Sequence, residues 1–109
     1  MGYFITIKKN SEYKKVYNLG RSVANRFFVI FAIKNSLKTV RFGFSVGKKI
    51  GNAVVRNRVR RVLKEICRLN TEMFPTGYDY VILARKDAVT QNYEQIKNHL
   101  GKLVLKVIK

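Results

Sequence analysis

The chain has 109 residues, 47% of them hydrophobic, which suits a single domain, residues 1–109, with a modest core. Lys and Arg number 23 against 6 Asp and Glu, a formal charge of +17 at pH 7 that makes a compact state repel itself unless an anionic partner is near. No apolar run approaches the roughly 20 residues of a spanning helix, the N-terminus carries no secretion signal, and the one cysteine, Cys67, has no disulfide partner; a cytoplasmic protein off the membrane is expected.

The opening residues, MGYFIT, match an N-myristoylation pattern in form through Gly2 and Thr6, but a pattern this short often arises by chance. Residues 11–19, SEYKKVYNL, predict a short helix capped by Ser11 and stopped before Gly20, with Tyr13, Val16, Tyr17 and Leu19 near helical spacing. From Ser22 to Val46 the residues turn β-branched and aromatic, predicting two or three antiparallel strands with a hairpin turn at Asn35-Ser36. Alternation in RFFVIF places Phe27, Val29 and Phe31 on one strand face and Phe28 and Ile30 on the other. Two apolar faces need two covers: helices on both sides, or one side left partly open as a groove where unpaired bases stack.

The segment VGKKIGNAVVRNRVRRVLKEICRLN, residues 46–70, carries 8 of the Lys and Arg and predicts a loop followed by a helix from about Ala53 to Asn70. A loop around Pro75 follows, then a strand in YDYVILA (78–84), then a closing helix over 92–108 with Tyr93, Ile96, Leu100, Leu103, Val104 and Val107 on its apolar face. With no repeat or linker, this order implies an α+β sheet with helices packed on it.

On the basic helix, Val55, Val59, Val62, Ile66 and Leu69 form a stripe with Leu63 at its border. Arg56, Asn57, Arg60, Arg61, Lys64 and Arg68 cover the outward arc, Arg58 lies near the stripe's other border, and Glu65 is the only acid among them. A merely solvated helix mixes both signs at four-residue spacing, so this one-signed face points to a polyanion. Arginine's planar fork suits phosphates and bases, which favours nucleic acid. Lys48 and Lys49 stand just before the helix N-terminus, where free N–H groups already favour anions. The glycine spacing there is wrong for a P-loop, which excludes nucleotide hydrolysis by that motif.

No catalytic residues and no protein-built metal site are expected. The acids Glu12, Glu65, Glu72, Asp79, Asp87 and Glu94 are scattered, His99 reads as a helix-surface residue, and one cysteine excludes a cysteine-based zinc site.

VGKKIGNAVVRNRVRRVLKE, centred on Arg56-Asn57-Arg58, resembles the signature of the bacterial ribonuclease P protein component. The likeness continues through NSEYKKVYNLGRSVANRFFV upstream and YDYVILARK downstream. This resemblance implies a two-layer α/β sandwich of α-β-β-β-α-β-α order, with a mixed four-stranded sheet and a left-handed β-α-β crossover against the general handedness rule. It implies a protein subunit that assists a catalytic RNA in removing the 5′ leader of precursor tRNA, with Mg²⁺ held mainly by the RNA. By position, Arg56, Asn57, Arg58, Arg60, Arg61 and Lys64 belong to the surface for the RNA subunit. Tyr13, Tyr17 and Phe31 match aromatic leader-cleft positions, with Lys48 and Lys49 at the cleft's edge. Tyrosine stands at 13 and 17 where the family often has phenylalanine, and Gly47 where relatives can carry a polar or basic residue. By charge alone, a structural RNA-binding protein or a DNA-binding architectural protein would look the same.

Overall fold

The alternating and helical stretches fold into one open five-stranded sheet with helices against both faces; the computed structural model describes residues 5–108. The Met1-Gly2 start of the acylation pattern lies outside the described residues. In chain order the elements are β1 (Ile5–Thr6), α1 (Asn10–Leu19), β2 (Arg21–Ala24), β3 (Phe28–Lys34), β4 (Val40–Ser45), α2 (Ala53–Leu69), β5 (Tyr78–Ala84) and α3 (Tyr93–Val107). The α+β class and the expected order hold, with β1 added in front as a fifth strand where four were expected.

The strands lie in the order β1-β4-β5-β3-β2. β5 sits between β3 and β4, antiparallel to the first and parallel to the second, so the Asn35-Ser36 turn joins strands that are not hydrogen-bonded neighbours. This corrects the hairpin reading. The reason is the composition of β5: Tyr80, Val81 and Ile82 are fully buried, and a strand apolar on both faces belongs at the centre, where both faces are covered. The true hairpin is β2-β3, closed by Asn25, whose Oδ1 accepts from the N–H groups of Phe27 and Phe28 at 2.8 Å each. β4, α2 and β5 form the parallel β-α-β unit to which the implied crossover belongs.

Alternation sorts the side chains. Phe28, Ile30, Phe42, Tyr80 and Ile82 face α2 and α3 in the main core. There Phe42 meets Phe74 edge-on at 4.8 Å between centroids, and the buried Tyr80 hydroxyl donates to the Pro75 carbonyl at 2.8 Å, tying down the proline loop. The opposite face carries Phe31, Ile33 and Val81, met by Val16, Tyr13 and Tyr17 of α1 and by Ile7. The sheet with α2 and α3 thus makes the two-layer body, and α1 adds a short third layer over part of the other face.

Helix ends follow local chemistry. Asn52 caps α2 by accepting from Val55 N–H at 3.0 Å, and Asn92 and Gln95 form a reciprocal capping box on α3. Ser11 is not a cap: α1 begins one residue earlier, and its cap position, Lys9, contributes no side-chain hydrogen bond. The chain enters from β1, whose register with β4 runs through the Ile7 N–H to Phe42 carbonyl bond at 2.7 Å, and this fixes where the helix can start. Leu19 is 70% exposed, outside the apolar face expected for it. Gly20 is required after α1 because a Cβ there would lie 2.5 Å from the Val16 carbonyl oxygen and 2.8 Å from that of Ala32.

His99 is not on an open helix surface. Its ring stacks on Phe27 at 4.4 Å, its Nδ1 lies 3.3 Å from Asn25 Nδ2, and its Nε2 lies 3.0 Å from Gln91 Oε1. These partners suit the neutral ring, with Nδ1 accepting and Nε2–H donating. Burial, and secondarily the charge of Lys102, hold its pKa below the usual histidine value. A folded pKa below the unfolded one gives stability present at neutral pH and lost as pH falls. The thermal midpoint is therefore expected to drop between about pH 7 and about pH 5, and a His99→Gln variant to lose less over that window. Parallel melting profiles for the two proteins would refute the role of His99.

Candidate nucleic-acid interface

The buried stripe of α2 runs through Val59, Leu63, Ile66 and Cys67, with Val55 and Val62 only partly buried and Leu69 44% exposed. The helix is rolled from the expected stripe toward Leu63 and Cys67, because α3 as well as the sheet packs against it. Burial raises the pKa of the Cys67 thiol, so it stays protonated as part of the core.

The roll settles the arginines. Asn57, Arg60, Arg61 and Lys64 line one groove on the outer face, together with Glu65 and Arg68, which pair with each other. Arg60 Nη1 donates to Asn57 Oδ1 at 3.0 Å, orienting its guanidinium along the helix. Arg58 is exposed and lies outside that groove. Arg56, expected on the outward arc, stands at the border of the core instead, and its buried Nε finds no hydrogen-bond partner among the described residues. An unmatched buried donor on a cation leaves hydrogen-bonding capacity for an incoming acceptor.

On the opposite face of the sheet, the three predicted rings come together. Tyr17 meets Phe31 edge-on at 4.8 Å, and Tyr13 lies 6.3 Å from Tyr17, tilted by 44°. All three stay partly exposed. Tyr13 lies against Gly43, where a Cβ would come within 2.7 Å of the ring, and its hydroxyl accepts from Phe44 N–H at 3.2 Å. That N–H points off the edge of β4 beyond the last pairing with β1, so the phenol takes the place of a missing strand. Burial raises the Tyr13 pKa, while the bond from Phe44 and the nearby positive charge of Arg60 pull against it. Phe27, expected beside Phe31, is absent from this row, because the Asn25 turn swings it under α3 onto His99.

Beyond the rings the sheet forms an open floor. Phe31, Val81 and Gly43 make one row across β3, β5 and β4, and Val29, Leu83 and Ser45 make the next. This second row leads into a groove of ≈ 620 Å³ lined by Lys48, Lys49, Arg85 and Lys86 around Ser45 and Gly47. Lys48 and Lys49 sit in a 3₁₀ turn before α2 and line the groove at the end of the floor. Gly47 leaves open space, and no side chain fills it. Arg85 and Lys86 are members of this groove that no sequence pattern had assigned; only their position just past the last strand pointed toward it.

Four of the six carboxylates are engaged with arginines: Glu12 and Asp79 with Arg41, Asp87 with Arg26, and Glu65 with Arg68. Among the described residues no helix is long and apolar enough to cross a membrane.

Comparison with known proteins agrees with this fold. The family model for ribonuclease P matches residues 1–108. The ribonuclease P protein component of Pelotomaculum thermopropionicum is 46% identical over 98 residues, 90% of this chain and 88% of that protein. The corresponding protein of Thermoanaerobacter pseudethanolicus is 47% identical over 102 residues, covering 94% and 88%. Among solved structures, the Staphylococcus aureus RNase P protein superposes with a TM-score of 0.84 at 38% identity, covering 95% of this chain and 94% of that one. The Thermotoga maritima RNase P protein gives 0.86 at 26% identity, covering 94% and 96%. A family match over nearly the whole chain, carried on the same fold, means that this chain belongs to the ribonuclease P protein family, the protein component of a tRNA-processing ribonucleoprotein nuclease.

Proposed function

We propose that the chain assembles in the cytoplasm with a ribonuclease P RNA through α2 and receives the 5′ leader of precursor tRNA along the open face of the sheet. The observation that carries this reading is the continuous floor from Tyr13, Tyr17 and Phe31 to the Lys48, Lys49, Arg85 and Lys86 groove. A single strand needs stacking surfaces for its bases and cations for its backbone, in line, and this face offers both. Asn57, Arg60, Arg61 and Lys64 present a separate groove of net positive charge suited to the RNA subunit, and Arg56 and Arg58 on the same helix are assigned to that partner as well.

The scattered, arginine-paired carboxylates support a division of labour with the RNA. Mg²⁺, when bound mainly by the RNA, would supply the activated water for phosphodiester hydrolysis that leaves a 5′-phosphate on the mature tRNA. The protein neutralises crowded phosphates and holds the leader in place; none of its own groups is assigned to the reacting atoms.

The decisive experiment is 5′ cleavage of a precursor tRNA by a bacterial ribonuclease P RNA at low Mg²⁺, with and without this protein. Cleavage at the mature 5′ end that depends on the protein, with none by the protein alone, is the expected result. RNA binding that never promotes cleavage would favour a structural RNA-binding role. Preference for duplex DNA in competition would favour an architectural one.

A further inference from the structure

α1 carries two of the three rings, yet little holds it. It has 10 residues, no side-chain cap, and only one fully buried residue, Val16. A helix this short is marginal without tertiary contacts, so its height over the sheet is set by whatever ties it down.

One tie is polar. Arg41 of β4 and Asp79 of β5 are cross-strand partners on the ring-bearing face. Arg41 donates through Nε to Asp79 Oδ1 at 2.9 Å and through Nη2 to Oδ2 at 2.5 Å, a two-point fork that leaves no rotational freedom. Asn35 Nδ2 adds a bond to Asp79 Oδ1 at 2.8 Å. The remaining arm of the guanidinium, Nη1, reaches up to Glu12 Oε2 at 2.8 Å. Glu12 lies in the first turn of α1, next to Tyr13, and Arg41 lies two residues from Gly43, against which the Tyr13 ring rests.

Burial alone would raise the Asp79 pKa, but the bonds from Arg41 and Asn35 hold it below the usual carboxylate range. The bond from Arg41 lowers that of Glu12. Both acids are therefore ionised at neutral pH, where each pairs with Arg41.

The geometry points to the Asp79–Arg41–Glu12 cluster as a positioning device: it fixes α1 over the sheet, and so sets the spacing of Tyr13 and Tyr17 from Phe31 that a single-stranded leader must fit. This deepens the cleft reading and rests on it. Glu12 acts through the rings and touches no nucleotide. The sheet-bound pair of Arg41 and Asp79 is the rigid base, and Glu12 is the replaceable arm.

Glu12→Gln tests it, because the substitution keeps the shape of the side chain and leaves Arg41 doubly bonded to Asp79. In holoenzyme assembled with a ribonuclease P RNA, we expect the KM for precursor tRNA with a leader to rise roughly three- to tenfold, with kcat at saturation little changed. Affinity for leaderless tRNA and for the RNA subunit should stay at the wild-type level, while amide exchange in α1 quickens. Combined with Tyr17→Ala, the loss should be less than the product of the two single losses, since both act on the same row. Arg41→Lys, which keeps a charge for Asp79 but cannot fork to both acids, should reproduce the leader-specific loss.

Wild-type leader affinity in Glu12→Gln, while Tyr17→Ala still weakens it, would overturn the positioning role and leave the cleft intact. Fully multiplicative losses in the double variant would also overturn it. If neither Glu12→Gln nor Tyr17→Ala distinguishes leader from leaderless tRNA, the cleft reading itself fails.

Discussion

Replacing Arg60 and Arg61 together with alanine is expected to weaken assembly with a ribonuclease P RNA by roughly tenfold to a hundredfold at moderate salt. Both guanidinium groups line the same outer groove of α2, whose carboxylate, Glu65, is engaged by Arg68. If each neutralises one phosphate, the slope of log affinity against log salt should flatten by about 0.7–0.9 per arginine lost. A control separates place from total charge: Lys97→Ala with Lys102→Ala removes the same number of charges from α3, on a surface remote in sequence from α2 and outside its groove. Filter binding or calorimetry across a salt series reads both quantities. Equal losses in the two double variants would mean that the chain binds RNA only through its net charge of +17, and the α2 assignment would fall.

Tyr17→Ala should act on the other surface. Tyr17 is the middle ring of the row, in contact with Phe31 at 4.8 Å and near Tyr13 at 6.3 Å, so its removal takes away a stacking surface and a support for its neighbours. Base stacking on an aromatic side chain contributes about 1–3 kcal/mol, which converts to roughly 5- to 150-fold in affinity for a precursor that carries a leader. Leaderless tRNA should bind the holoenzyme almost as before. Tyr17→Phe keeps the ring and should keep most of the affinity. A loss shared equally by both ligands would show that Tyr17 supports the fold and not the leader. The two tyrosines respond differently to loss of a hydroxyl: that of Tyr13 is bonded to the backbone of β4, so Tyr13→Phe would lose that bond as well.

Much of this molecule was legible in one dimension. Runs of β-branched and aromatic residues located β3 and β5, and helical spacing located α2 and α3, because composition and hydrophobic periodicity are local properties. The one-signed face of α2 was legible for the same reason: charge on a helix depends only on angle. The match to a known family rested on the ordered set around Arg56-Asn57-Arg58, and the family model confirms the membership.

What sequence could not decide was every pairing between distant segments. β5 enters between β3 and β4 because two apolar faces must both be covered, and no local signal reports which strand will take the centre. That insertion abolished the expected hairpin, put Arg41 opposite Asp79, and aligned Gly43, Val81 and Phe31 into the floor beneath α1. The roll of α2 toward Cys67 depended on α3, and it moved Arg56 from the outward arc to the edge of the core. Phe27 and His99 left their expected surfaces to pack on each other, because the Asn25 turn and the third helix meet only in the folded chain. Residue types and their periods determined which elements form and which faces carry charge. Long-range burial decided how those elements pair, and with that which rings and cations share a groove.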